Sequence, residues 1–318
     1  MVVDVAGAIA GLVLLTFAAD HLVLGASRLA RRLRISPVVV GVVVIGLGTS
    51  APEFLVSGLA AARGDTGLAV GNIVGSNILN LTLLLGLAAI IAPIPVASRV
   101  IRREVPLAFA AVALFGLLAV VAGLDVLTGV VLAVAGVAAL WLLVRWARAG
   151  RAEAGLVDEV EEFVARPDEP GRRTWTEAVR AVLGLLGVLA GAQLLVDGAS
   201  AVAESLGVSQ LVIGFTLVAL GTSLPELVTS VQAQRRGESD LVVGNLFGSN
   251  LFNSLIGGAV IGFADGATAY AGVVLVVTMI LSAGLAWLLL MRGLRLTRLD
   301  GVVLTVGYAM VAPLLLSA

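Results

Sequence analysis

Long apolar stretches alternate with short polar breaks along the chain, and ten of the stretches approach or exceed the roughly 20 residues a helix needs to cross a hydrocarbon core. They lie near 5–27, 37–62, 68–92, 105–123, 126–147, 176–204, 210–234, 241–263, 270–291 and 300–316. This spacing predicts an all-α polytopic membrane protein of ten transmembrane helices. Residues 1–147 form the first set of five, 148–174 a charged linker, and 175–318 the second set.

Two of the apolar stretches in each half are interrupted by polar residues, and the interruptions repeat. GLGTSAPEFLVSG followed by VGNIVGSNILN (46–58, 70–80) recurs 173 positions later as ALGTSLPELVTSV followed by VGNLFGSNLFN (219–231, 243–253). Thr49, Ser50, Pro52, Glu53, Ser57, Asn72, Ser76, Asn77 and Asn80 thus map onto Thr222, Ser223, Pro225, Glu226, Ser230, Asn245, Ser249, Asn250 and Asn253. A polar motif repeated at membrane depth predicts one central site assembled from two halves.

Composition narrows the class. With 59% hydrophobic and 13% charged residues and a mean hydropathy of +1.09, the chain is too apolar for a soluble domain of its length. It has no cysteine, which removes disulfide and thiolate chemistry, and a single histidine, so a soft-metal centre is not expected. The N-terminal stretch lacks a basic n-region and is expected to be a retained first helix. The acidic residues of the linker do not follow the EF-hand spacing and are expected to be a solvated tether.

All twenty basic residues are arginine. Threaded through ten spans, nineteen fall on one face and only Arg63 on the other, which by the positive-inside rule makes that face cytoplasmic and puts both termini outside. Such a chain is expected in the inner (plasma) membrane of a prokaryote. An odd number of spans per half brings the second copy in from the opposite side, so the halves should be inverted repeats. That architecture is suited to a carrier.

Thr49 and Glu53 share a helix face, as do Thr222 and Glu226, and Ser57 and Ser230 continue the stripe. Pro52 and Pro225 cannot donate to the carbonyls of Gly48 and Gly221, so a kink with exposed carbonyls is expected there. Asn72, Ser76 and Asn80 form a second stripe, mirrored by Asn245, Ser249 and Asn253. Beside them Gly71 and Gly75, and Gly244 and Gly248, have the spacing that lets helices approach closely in lipid.

Two glutamates with hydroxyl, amide and carbonyl oxygens make a hard cage for calcium or sodium. An intramembrane carboxylate costs at least about 2.5–3.5 kcal/mol unless a cation accompanies it. An empty, doubly negative site should therefore resist reorientation, and one cation leaves as another replaces it. His21 and Asp197 have Leu194 and Leu24 as their repeat equivalents and are not assigned to the site. A hydrolase using Ser50 or Ser223 would need two half-equipped sites, which suits the pattern less well. A passive cation channel remains an alternative of a different class.

These residues resemble the calcium/cation antiporter superfamily, in particular its prokaryotic sodium/calcium exchanger branch. GTSAPE with GNIVGSNILN and GTSLPE with GNLFGSNLFN look like its paired repeats, and the flanking LVLGASRLARRLRISPVVVG and LLVDGASAVAESLGVSQLVIG look like the segments preceding them. The resemblance implies exchange of calcium for sodium, with no enzymatic step, no cofactor and no nucleic acid. The partners are the two ions and the bilayer, and the site is complete within one chain.

It further implies four cation sites in a diamond. Glu53 and Glu226 would bind calcium and sodium. Thr49, Ser50, Ser76, Thr222, Ser223 and Ser249 would line the sodium sites, with carbonyls at Gly46 and Ala219. Asn80 and Asn253 would take the middle position, and helices 1 and 6 would slide. Members of that branch often carry aspartate at one of the positions held here by Asn80 and Asn253. Asparagine at both keeps a proton-coupled calcium or other divalent-cation antiporter as the alternative.

Overall fold

The computed structural model describes residues 2–33, 35–161, 174–207, 219–264 and 268–316, with side chains except at 98, 147–161, 219 and 313–316. Its helices are α1 (Val2–Leu33), α2 (Pro37–Thr49), α3 (Ala51–Ala62), α4 (Thr66–Ile91), α5 (Glu104–Val121), α6 (Val126–Glu161), α7 (Thr174–Ser205), α8 (Ala219–Thr222), α9 (Leu224–Arg235), α10 (Ser239–Phe263), α11 (Val273–Gly293) and α12 (Arg298–Leu316). Among the described residues seven helices are long and apolar enough to cross a membrane. The pair α2 and α3 is apolar enough only when taken together and is bent by 41° at its break; counted as one span, it brings the number to eight.

Helix α12 lies where 300–316 predicts one. Of the stretch expected at 210–234, α8 and α9 are described, and the segment before α8 (208–218) lies outside the described residues. α6 runs on to Glu161, so the expected linker begins as helical backbone. Its remainder, 162–173, also lies outside the described residues.

The two helices that carry the Asn and Ser stripes form the centre. In α4 and α10, 78% and 83% of the apolar window is buried, against 22–44% in the five other single-helix spans. Each is interrupted by one π-helical stretch, Asn80–Leu84 in α4 and Asn253–Gly257 in α10, starting at equivalent asparagines. Such insertions free backbone groups and mark functional sites.

Around this centre α1 packs along α7 with the backbones touching. A methyl group on Gly11 would lie 2.4 Å from the Leu195 nitrogen, and one on its repeat equivalent Gly184 would lie 2.6 Å from the Leu22 nitrogen. Small residues at such an interface let the helix backbones approach closely.

Short connections close the bundle. β1 (Ile94–Pro95) pairs antiparallel with β2 (Arg295–Leu296), with Ile94 opposite Leu296. Asp125 caps α6: its carboxylate accepts from the Thr128 amide at 2.9 Å, and its own amide donates to the Thr128 hydroxyl at 2.8 Å. These bonds hold the Asp125 carboxyl below the usual carboxylate range.

Candidate cation-binding site

Each TSxPE segment folds as a broken helix. Ser50 leaves helical geometry at φ −80°, ψ 2°, and Ser223 does so at φ −92°, ψ 4°. The prolines then sit in the first turn of α3 and α9, where a missing N–H costs nothing. The kink expected at Pro52 is therefore present. It places the negative C-terminal end of α2 beside Glu53 and Glu226.

The two carboxylates are fully buried, and each is held by a serine from the other half. Ser50 Oγ donates to Glu226 Oε1 at 3.1 Å, and Ser223 Oγ donates to Glu53 Oε1 at 3.1 Å. Ser76 lies beside the second of these, its hydroxyl 3.5 Å from that of Ser223. Ser249 extends the first, reaching Glu226 Oε1 at 3.3 Å and the Gly46 carbonyl at 3.2 Å. Thr49 bonds the Ile45 carbonyl at 2.9 Å and Asn245 Oδ1 at 3.3 Å.

Close backbone approach makes this possible. A methyl on Gly46 would stand 2.9 Å from both the Asn245 carbonyl and the Ser249 amide, and one on Gly248 2.7 Å from Val42 Cα. The spacing of Gly244 and Gly248 thus brings α2 against α10. Gly71 and Gly75 meet no described atom within 4 Å. The repeat counterpart of α2 falls mostly in 208–218, outside the described residues.

Asn72 and Asn245 brace the carboxylate helices from behind. Asn72 Nδ2 donates to the Glu53 carbonyl at 3.2 Å and Ser57 Oγ at 2.9 Å, and Asn245 Nδ2 repeats this with the Glu226 carbonyl at 3.2 Å and Ser230 Oγ at 2.9 Å. Asn245 also reaches Thr229 at 3.0 Å. Thr229 went unnoticed in the sequence because its repeat equivalent is Val56, so duplication gives no signal. Asn77 and Asn250 join the halves: Asn250 donates to the Asn77 carbonyl at 2.8 Å, and Asn77 to Ser254 at 2.9 Å.

At the centre, several buried polar atoms have no protein partner: Glu53 Oε2, Glu226 Oε2, both amide atoms of Asn80 and of Asn253, and the Oδ1 atoms of Asn77 and Asn250. Buried polar groups are normally satisfied, so partnerless oxygens on two helix pairs mark a place built for a cation or water. No cluster of three or more His, Cys, Asp or Glu occurs among the described residues, and the donor set is two carboxylates with neutral oxygens.

Of the twelve residues expected at the site, Glu53, Ser76 and Ser223 converge in one cluster and Gly46, Ser50, Glu226 and Ser249 in another. Thr49 joins the second through Asn245. Asn80, Asn253 and Thr222 are buried. The described structure gives no contact for Ala219.

The apolar bundle is that of a multi-pass membrane protein, and the comparisons with known proteins make it one of the cation antiporter class. The chain belongs to the sodium/calcium exchanger family, whose family model matches residues 3–145 and 177–316, and within the calcium/cation antiporters it falls in the prokaryotic branch. It is 43% identical over 245 residues to the putative antiporter CaxA of Alkalimonas amylolytica, covering 77% of this chain and 76% of that one. To the sodium/calcium exchanger MaX1 of Methanosarcina acetivorans it is 29% identical over 276 residues, covering 76% and 78%. A structure of the sodium-calcium exchanger NCX_Mj soaked with sodium and strontium superposes with a TM-score of 0.85 at 33% identity, covering 98% of both chains.

Proposed function

We propose that the chain exchanges calcium for sodium by alternating access through one central site. Its ligands are Glu53, Glu226, Thr49, Ser50, Ser76, Asn80, Thr222, Ser223, Ser249 and Asn253, with carbonyls at Gly46 and Ala219. The observation that carries this reading is the reciprocal pair of bonds from Ser50 to Glu226 and from Ser223 to Glu53, beside carboxylate oxygens left without partners. The names of MaX1 and NCX_Mj support the choice of ions.

In this reading ten spans form two inverted repeats, 1–147 and 175–318, joined by a cytoplasmic linker over 148–174. Both termini lie outside a prokaryotic plasma membrane. The arginine distribution supports the orientation, and the two serine–glutamate bonds, which map onto each other under the 173-residue offset, support the repeat.

The test is radioactive calcium uptake into proteoliposomes loaded with sodium, with potassium-loaded and pH-gradient controls. Uptake driven by outward sodium alone is expected. Calcium flux that proceeds without a counter-ion would indicate a channel. The second reading, proton coupling, is favoured by asparagine at both 80 and 253, which leaves two carboxylates as the site's fixed charge. Uptake that follows only the pH gradient would establish it.

A further inference from the structure

The two ends of the bundle are tied differently. On α1, Asp20 receives Arg236 in a two-pronged ion pair, Nε to Oδ1 at 2.7 Å and Nη2 to Oδ2 at 2.6 Å. Arg236 lies in the turn between α9 and α10, closed by Gly237 at φ 74°. One residue on, Glu238 accepts from the Ser27 hydroxyl and from Arg31 Nη1 at 3.1 Å. Three side chains of α1 are thus fastened to the turn that directly follows the Glu226 helix.

At the opposite end the repeat places Gln193, Ser200 and Glu204 of α7 beside Arg63 and Asp65. Among the described residues none of these contacts is reproduced. Gln193 donates to Asp197 at 2.8 Å instead, and Asp65 caps α4 by accepting from the Leu68 amide at 3.0 Å. Ser200 Oγ is buried without a partner. Arg31 is replaced by Glu204, a carboxylate set opposite the carboxylate of Asp65. Glu238, unlike Asp65, leaves its own helix uncapped and is free to reach α1.

We propose that Asp20, Arg236, Glu238, Ser27 and Arg31 form an ionic latch that holds the arginine-rich end closed and sets the resting conformational balance of the carrier. The proposal rests on the alternating-access reading. In a perfect inverted repeat the two facing states have equal energy, so any preference comes from residues that break the symmetry. The latch breaks it at one end only. Because α1 and α7 touch along their backbones, fastening α1 restrains both.

The absence of cysteine allows a test that does not depend on transport. Ala233 and Ala60 are repeat equivalents, 1% and 5% exposed, each seven residues beyond Glu226 or Glu53 on the same helix face. Single reporters Ala233→Cys and Ala60→Cys are labelled with a hydrophilic maleimide in purified full-length protein, with and without Arg236→Gln, and with Asp20→Asn as a second disruption.

Opening the latch is expected to raise labelling at 233 by about two- to fivefold, the range for one partly exposed ion pair, and to lower it at 60. The exchanged pair Asp20→Arg with Arg236→Asp restores the original pattern. Unchanged rates at both reporters, or rates that rise together, would overturn the latch. Calcium uptake is measured on the same proteins. A wild-type protein that does not transport while the thiol pattern shifts would sink the exchange reading and leave the latch standing.

Discussion

Replacing Glu53 or Glu226 by glutamine separates a binding role from a structural one, because the two roles predict opposite signs. Each carboxylate is fully buried, accepts a serine hydroxyl at 3.1 Å through Oε1, and leaves Oε2 unpartnered. Glutamine keeps the volume and the acceptor, and removes a charge whose presence in the membrane interior costs at least about 2.5–3.5 kcal/mol. The ion-free protein should therefore melt no lower than wild type. A contact to a charged group is worth about 1.5–3 kcal/mol, so calcium affinity should fall by about 10- to 150-fold.

At calcium one hundred times the wild-type Kd, linkage gives about 2.7 kcal/mol of stabilisation to wild type, and about 0.4 kcal/mol to a variant binding one hundredfold more weakly. At about 2–4 °C per kcal/mol these correspond to shifts of about 5–11 °C and 1–2 °C. Differential scanning fluorimetry with and without calcium reads both quantities. A variant with lowered ion-free stability and an unchanged calcium shift would refute the site.

Gly46→Ala would push a methyl to 2.9 Å from backbone atoms of Asn245 and Ser249, so a loss of about 1–3 kcal/mol and failed transport are expected; wild-type melting and uptake would contradict the close packing. Thr229→Val removes one of three acceptors of Asn245 Nδ2 and should cost about 0.5–1.5 kcal/mol, with a smaller loss of calcium affinity than either glutamine variant, read by calcium titration. The Asp125 carboxyl titrates below its unfolded value of about 3.9, so its stabilisation is present above that value and is lost as pH falls through the folded one. Melting curves of wild type and Asp125→Asn should differ near neutrality and converge in acid; a difference that persists would count against the cap.

Much of the candidate site was legible because it is written twice. Duplication of Glu53 as Glu226 turned an isolated intramembrane carboxylate into half of a pair, and Pro52 announced the break at Ser50. What pattern could not give is the crossing of partners: Ser50 serves Glu226 while Glu53, three residues along, is served by Ser223. Periodicity places residues on a face of their own helix and says nothing of which face lies opposite. Thr229 was invisible for the converse reason, since its role arises from one half alone. The latch is a similar case: it depends on Asp20 and Arg31, at whose repeat positions the other half carries Gln193 and Glu204.

The charge of the cradle leads to a consequence for voltage. Two carboxylates balance one divalent or two monovalent cations, while Asn80 and Asn253 add oxygens but no charge. A third monovalent ion would leave an uncompensated positive charge in the membrane interior, at a cost of the size already given for the glutamates. Exchange of one calcium for two sodium ions is therefore expected, and calcium uptake should keep its rate when the potential is stepped by 100 mV. Asn253→Asp adds the missing negative charge, makes room for a third sodium ion, and should make uptake depend on voltage. One net charge per cycle carries about 2.3 kcal/mol per 100 mV, up to about fiftyfold in driving force, so potassium-valinomycin clamps resolve it. Voltage-driven uptake by the wild-type protein would mean that charge enters the cycle from outside the two glutamates.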